Sequence, residues 1–140
     1  MLGAIIGDIV GSVYEFNNYR HKDFAPLFSP SAFFTDDTVC TIAVADALTR
    51  STDPASTMKY WCARYKHIGG WGNRFFDWIE ADDSAPYGSY GNGAAMRISP
   101  VGLVAGSLEE VIDLSGRMTD ITHNHPEGIR GAAATAAAIY

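Results

Sequence analysis

Two adjacent carboxylates flanked by threonines, Thr35-Asp36-Asp37-Thr38, are the strongest candidates for chemistry in this sequence. Threonine and aspartate are favoured at the start of a helix in any case, because they cap free backbone N–H groups and complement the helix dipole. The alternative is a metal site, since one hydroxyl and two carboxylates suit Mg²⁺, Mn²⁺ or Ca²⁺ better than Zn²⁺. Successive residues at a helix start point about 100° apart, so Asp36 and Asp37 could serve two neighbouring ions.

A second acidic candidate lies in the segment GDIVGSVYE, which contains Asp8 and Glu15. A carboxylate in an apolar helix is costly unless it is hydrogen-bonded or bound to an ion. Asp8 is therefore either a buried capping group or a residue that supports a metal ligand. Glu15 fits either a surface glutamate or a group that handles a proton or a water molecule beside the metal.

The third candidate is a loop rich in glycine and serine that leads into a helix predicted from Ala94. Free N–H groups at such a helix start can bind phosphate or pyrophosphate, although many loops of this kind are ordinary turns. Arg97, in the first turns of that helix, fits a structural ion pair as well as it fits a phosphate ligand. The loop consists of Ser89, Tyr90, Gly91, Asn92 and Gly93.

The fourth candidate is a pair of histidines, His123 and His125, in the segment THNHPEG. A zinc site would need two further nitrogen or sulfur ligands. Cys40 and Cys62 lie in apolar helical patterns, so we expect both to be buried thiols in a reducing environment rather than ligands. The string HNH also occurs in nucleases, but an acidic chain with no basic patch argues against that interpretation.

Helical periodicity runs through nearly the whole chain, and no segment has the length and alternation of a strand, so we predict an all-α fold in a single domain over residues 1–140. Gly3, Gly7 and Gly11 form a stripe that suggests close approach by another backbone or a ligand. Residues 16–34 are predicted to be a long loop, and residues 82–93 a shorter one. Helices are predicted over 2–14, 36–49, 54–67 and 75–80, from Ala94 with an interruption at Pro100, from the Ser107 cap to about Thr119, and from Pro126 onward.

Composition narrows the function classes before any motif is considered. The 140 residues carry a net charge of -6, with ten scattered basic residues, which argues against a nucleic-acid binder. No segment is long and apolar enough for a membrane span or has the form of a signal peptide. We therefore expect a cytoplasmic protein whose partners are neither nucleic acid nor membrane.

Taken in order over the whole chain, the four candidate segments resemble the ADP-ribosylglycohydrolase family, which includes enzymes that remove ADP-ribose from modified proteins. The matching patterns are GD-x-x-G-x-x-x-E, TDDT, SYGNGAAMR-x-x-P and TH-x-HPEG-x-R-GA. The resemblance implies an all-α orthogonal helical bundle with a binuclear Mg²⁺ or Mn²⁺ centre at the base of an ADP-ribose cleft. It further implies that a protein of this kind is a metal-dependent hydrolase of N- or O-glycosidic bonds, acting on ADP-ribose attached to a protein or a small molecule.

The resemblance also assigns expected roles to individual residues. It implies metal ligation by Thr35, Asp36 and Asp37, and catalysis by Glu15 and Asp36, with Glu15 acting on the scissile bond or its water. Substrate binding is implied for Gly72, for the loop residues Ser89, Tyr90, Gly91, Asn92 and Gly93 at the phosphates and proximal ribose, and for His123 on the ribose side.

The sequence departs from the family pattern in one respect. Members of the family are about twice as long, which a single domain allows, and carry a second acidic motif of the D-x-D-[DT] kind that completes both metal sites. Residues 128–140 run GIRGAAATAAAIY with no capping signal, so we expect a truncated, inactive or impaired form that binds metal weakly. Such a chain is expected to self-associate to bury exposed apolar surface. The alternative is a non-catalytic ADP-ribose-binding or structural member of the family.

Overall fold

Eight α-helices follow one another in the computed structural model, which describes residues 1–17 and 19–140. Within these residues there is no strand, so the all-α prediction is confirmed. The helices are α1 (Leu2–Gly11), α2 (Asp36–Arg50), α3 (Pro54–Tyr65), α4 (Asn73–Glu80), α5 (Gly93–Arg97), α6 (Ser99–Val104), α7 (Leu108–Asp120) and α8 (Pro126–Ile139), with a 3₁₀ turn at Lys66–Ile68.

Side-chain caps fix where the longer helices begin. Thr35 accepts a hydrogen bond from the Asp37 backbone N–H at the start of α2, and Asp53 accepts one from Ser56 at the start of α3. Ser107 accepts from the Glu110 N–H at 3.1 Å, as the predicted capping box requires. The Glu110 carboxylate, however, accepts from the N–H of Gly106 rather than from that of Ser107. These local signals explain why most predicted helices agree with the structure.

The core forms around α2, which packs against α1, α3, α5 and α6, while α8 packs against α5, α6 and α7. Each fully buried aliphatic side chain contributes roughly 1.5–3 kcal/mol of hydrophobic stabilisation. The aliphatic side chains at the centre of this core are Val39, Val44, Met58, Ile98, Val101 and Val111. The cleft described below lies on one side of this core, so its walls are built on packed helices.

The first helix differs from its prediction in two respects. It ends at Gly11 rather than near Tyr14, and none of its residues is buried. A methyl group added at Gly3, Gly7 or Gly11 would meet no atom within 4 Å. No described part of the chain therefore approaches this face closely, and close approach by a ligand stays a prediction.

The predicted loop 16–34 has no helix or strand in its described part, and Asn18 lies outside the described residues. The loop is joined to the end of α1 by a hydrogen bond from the Phe33 N–H to Ser12 Oγ, at 3.2 Å. Across the described residues no helix combines the length and the apolar character that crossing a bilayer requires.

Candidate active site

One cleft of about 540 Å³ gathers residues from segments that are far apart in the chain. It brings together the start of α2, the glycine-rich turn before α4, the loop before α5 and the connection between α7 and α8. Of the predicted site residues, the cleft is lined by Glu15, Asp36, Asp37, Gly72, Ser89, Asn92, Gly93 and His123.

The other predicted site residues lie beside this cleft rather than along its wall. Thr35 lines an adjoining depression of about 490 Å³, which shares Glu15 and Asp37 with the cleft. A methyl group added at Gly91 would lie 3.9 Å from His123 Nε2, so this glycine borders the histidine ring. Tyr90 is 72% exposed, and its ring lies 5.3 Å from that of His125.

The acidic side of the cleft, which we define as Asp8, Glu15, Asp36 and Asp37, is organised by Asp8. Asp8 Oδ1 accepts a bond from Thr35 Oγ1 at 2.5 Å, and Oδ2 accepts one from Thr38 Oγ1 at the same distance. Oδ2 also accepts from the backbone N–H groups of Thr35 and Thr38. Asp8 therefore ties α1 to the start of α2 as a capping group, and its support of a metal ligand stays a prediction.

Asp36 and Asp37 are half-buried and close to other carboxylates. Burial raises the pKa of Asp37 to about 7, and repulsion by Asp36, Asp8 and Glu15 adds to the shift. Burial is also the largest cause of the raised pKa of Asp36, again with repulsion from Glu15 and Asp8. Carboxylates in this situation favour either a bound proton or a nearby cation.

The donor atoms here fit a hard divalent cation in their chemistry but not in their number. Thr35 Oγ1 gives its proton to Asp8 and accepts from the Asp37 N–H, so one lone pair is left to coordinate. Together with two carboxylates it forms an all-oxygen donor set, which suits Mg²⁺ or Mn²⁺. In residues 1–17 and 19–140, however, no three His, Cys, Asp or Glu side chains are placed to hold a metal ion together.

Gly70 was missed by the sequence analysis, which selected Gly72 from the same GGWGN segment. Gly70 has a φ of +84°, and a methyl group added there would lie 2.6 Å from Asp36 Oδ1. Only glycine combines this backbone conformation with so close an approach to the carboxylate. The run of glycines was the available signal, but it did not distinguish Gly70 from Gly72.

The loop side of the cleft, which we define as residues 87–93 together with Arg97, Thr122 and His123, is held by backbone contacts. The Ser89 N–H donates to the Thr122 carbonyl at 3.3 Å, and the Gly88 N–H donates to Asn124 Oδ1 at 2.7 Å. A methyl group at Gly128 would lie 3.0 Å from the Ser89 carbonyl oxygen, so the start of α8 lies directly against the loop. The loop before α5 and the connection between α7 and α8 thus form one surface.

Arg97 and His123 are both buried on this side. Arg97 forms no ion pair in the described part of the chain, so the ion-pair interpretation of this residue is wrong there. Its guanidinium instead donates to Thr122 Oγ1 at 2.7 Å. Burial lowers the pKa of His123 to about 4, and the positive charge of Arg97 contributes to the shift. The imidazole is therefore neutral at pH 7.

Cys40 lines the cleft, and its sulfur lies 3.9 Å from that of Cys62. Both cysteines are free and buried, as predicted. The contact with Cys62 and burial raise the pKa of Cys40, so it stays a protonated thiol and is unsuited to nucleophilic or ligand chemistry.

Two aromatic residues and an arginine of the cleft wall were also missed as a group. The Arg74 guanidinium lies 4.9 Å from the centre of the Tyr87 ring and donates to the Tyr87 carbonyl. Phe75 follows on the same helix and also lines the cleft. Nothing in the spacing of these residues links α4 to the loop, because their contact arises only from tertiary packing.

Comparison with known proteins agrees with the motifs. A sequence model of the ADP-ribosylglycohydrolases matches residues 1–140. The protein named ADP-ribosylhydrolase ARH3 from Xenopus tropicalis is 24% identical over 176 residues, an alignment that covers 100% of this chain and 48% of the relative. The chain spans about half the length of the curated relative that it matches.

Proposed function

Because the chain belongs to the ADP-ribosylglycohydrolase family, we propose that it forms the ADP-ribose-binding part of a metal-dependent hydrolase. The reaction proposed for the whole protein is hydrolysis of the glycosidic bond between ADP-ribose and a protein or a small molecule. The observation that carries the proposal is the single cleft in which the acidic start of α2 faces the loop of residues 89–93.

The two sides of the cleft divide the recognition of ADP-ribose between them. On the loop side, the backbone N–H groups of residues 89–93 that are not already bonded to Thr122 or Ser89, together with the neutral His123 ring, offer uncharged donors to the phosphates and the adjoining ribose. On the acidic side, Thr35, Asp36 and Asp37 would hold Mg²⁺ or Mn²⁺. When bound there, the cation would supply Lewis-acid chemistry to oxygens at the reacting ribose.

Glu15 is the residue proposed to handle the proton of the attacking water. It lines both the cleft and the adjoining depression, beside Asp37, and it is exposed to solvent. A carboxylate at this point can accept the proton of a water whose oxygen bonds to the anomeric carbon, and can return that proton to the departing group as the glycosidic bond breaks. The transition state of such a cleavage resembles an oxocarbenium ion, which nearby carboxylates stabilise.

The chain itself is proposed to have little or no turnover. Mg²⁺ takes about six oxygen ligands, and Thr35, Asp36 and Asp37 supply only part of them. The second acidic motif of the family would supply others, and the curated relative is about twice as long as this chain. Self-association is proposed as well, because the surface carries exposed apolar side chains, among them Leu103, Val104, Leu108 and Ile112.

A non-catalytic ADP-ribose-binding role is the second candidate. It is favoured by the finding that no three acidic, histidine or cysteine side chains of the described residues could hold a metal ion. The two candidates differ in one measurable respect, which is whether a divalent cation strengthens the binding of ADP-ribose.

The test is a calorimetric titration of the chain with ADP-ribose, in Mg²⁺ or Mn²⁺ and again in EDTA. We expect binding that is stronger with the metal. Gly93→Ala, which adds a methyl group 3.5 Å from His123 Nε2, should weaken it, whereas Gly131→Ala on the open face of α8 should not. Equal binding in metal and EDTA would favour the non-catalytic role, and no binding in either would contradict both candidates.

A further inference from the structure

Arg97 is a buried cation without an anionic partner. It is 2% exposed, its Nε has no hydrogen-bond partner, and no carboxylate of residues 1–17 and 19–140 pairs with it. Burying an unpaired guanidinium is costly, so the fold retains it at the expense of stability. Its polar contacts therefore indicate what the charge is used for.

The contact that Arg97 makes with a side chain leads to His123. The guanidinium donates to Thr122 Oγ1 at 2.7 Å, and the same oxygen lies 2.8 Å from His123 Nδ1. Thr122 is 0% exposed, so these contacts are shielded from bulk solvent. The three side chains thus form a closed chain from the guanidinium, through one hydroxyl, to one imidazole nitrogen.

The positions of the protons follow from what each group can donate. A guanidinium only donates, so Thr122 Oγ1 accepts from Arg97. The hydroxyl proton then needs an acceptor, and within the described residues His123 Nδ1 is the one in reach. If Nδ1 carried the ring proton instead, the buried hydroxyl proton would have no partner, which is unfavourable. A donor bond from a charged group also makes the hydroxyl a stronger donor.

With Nδ1 as an acceptor, the proton of the neutral ring resides on Nε2. That nitrogen lies beside the glycines of the loop, since methyl groups added at Gly93 and Gly91 would be 3.5 and 3.9 Å from it. The absence of side chains at these two glycines leaves the Nε2–H facing a space that a ligand in the cleft can enter.

Building on the proposed function, we propose that Arg97 and Thr122 are positioning residues that hold His123 in the Nε2–H tautomer, so that the ring donates a hydrogen bond to ADP-ribose at the loop of residues 89–93. The positive charge of Arg97 has a second effect, because it disfavours protonation of the same ring. The device therefore supplies a neutral donor of fixed orientation in the part of the cleft that receives the phosphates and ribose.

The test is ¹⁵N–¹H correlation spectroscopy of the histidine rings in the free chain at neutral pH, which reports the protonated nitrogen directly. We expect His123 to show Nε2–H, with Nδ1 as an unprotonated acceptor. A ring with Nδ1–H, or a doubly protonated ring, would overturn the proposal. This measurement uses the unaltered chain, so it does not depend on whether any variant folds.

Two variants separate a positioning role from a merely structural one. Thr122→Val keeps the volume but removes the hydroxyl, so we expect a mixture of His123 tautomers and about tenfold weaker binding of ADP-ribose. Thr122→Ser restores the hydroxyl, and both the tautomer and the affinity should return to about those of the original chain. The exposed His125 serves as an internal reference in these spectra. A His123 tautomer that is unchanged in Thr122→Val would contradict the role of Thr122.

The outcomes also distinguish this proposal from the proposed function. Nε2–H on His123 in a chain that binds no ADP-ribose would uphold the tautomer assignment and contradict the function. Binding of ADP-ribose to a chain in which His123 carries Nδ1–H would do the reverse.

Discussion

The two sides of the cleft are built in opposite ways. The loop side is closed by hydrogen bonds between its own parts, such as those that join Ser89 and Gly88 to the connection between α7 and α8. The acidic side places carboxylates together at the start of α2, next to a helix α1 that buries none of its residues. The loop side therefore bonds much of its backbone internally but retains the positive charge of Arg97, unpaired within the described residues, whereas the acidic side retains a surplus of negative charge that a cation would relieve.

The largest effect is expected from removing a carboxylate on the acidic side. Asp36→Ala should weaken Mn²⁺ binding at least about tenfold, because a carboxylate is among the strongest ligands for a hard cation. Binding of Mn²⁺ can be followed by calorimetry or by the loss of the free-ion signal in electron paramagnetic resonance. In a protein that also contains the rest of the family fold, the same change should abolish hydrolysis.

The matched control is Asp113→Ala, which removes an exposed carboxylate on α7, away from the cleft. It changes the net charge by the same amount but should leave Mn²⁺ binding close to that of the original chain. Equal losses in both variants would mean that the ion responds to overall charge rather than to a site, and the comparison between the two sides would lose its basis.

The parts of this architecture that could be predicted from sequence are the local ones. Helix starts at Thr35, Asp53 and Ser107 were predictable because a capping residue lies within three positions of the N–H group that it accepts from. The four candidate segments were also recognisable, since each is continuous in the chain. The structure places residues of all four around one cleft.

What could not be predicted depends on contacts between distant segments. The bond from Arg97 to Thr122 joins residues 25 positions apart. Gly70 and Asp36, which lie close together in the cleft, are separated by even more positions in the chain. The backbone contact suggested by the glycine stripe of α1 was not found in the described part of the chain, for a related reason. A stripe of small residues permits close packing but does not specify a partner, and in the described residues none is present at that face.

A pair of glycine substitutions tests whether α6, which packs against α8, is more tightly packed than α1 beside the acidic side of the cleft. Gly102 of α6 faces α8, and a methyl group there would overlap the Ala136 carbonyl oxygen and lie 2.8 Å from Ile139 Cβ. Gly102→Ala should therefore lower the free energy of unfolding by about 1–3 kcal/mol. Gly7→Ala in α1 should raise it by about 0.5–1 kcal/mol, because alanine favours the helix and the added methyl group meets nothing.

Both free energies can be measured by urea denaturation under the same conditions, with each variant compared to the original chain. A loss of stability in Gly7→Ala would show that α1 is packed against another surface in solution, for example that of a second copy. Such a result would restore the close approach that the glycine stripe suggested.

An effect of about the same small size concerns pH, to which the two sides should respond in opposite directions. The pKa of Asp37 is raised from 3.8 to about 7, so the folded chain holds this proton more tightly than the unfolded chain and gains stability as the pH falls through that interval. The pKa of His123 is lowered from 6.5 to about 4, so the unfolded chain takes up the proton first and stability is lost as the pH falls below about 6.5. In EDTA, Asp37→Asn should make acidification from about pH 7.5 to pH 5 more destabilising, and His123→Gln should make it less so, each by about 1 kcal/mol after solvent screening. The matched control is His125→Gln. Shifts of the same sign in Asp37→Asn and His123→Gln would mean that the two sides of the cleft do not differ in whether folding favours a bound proton.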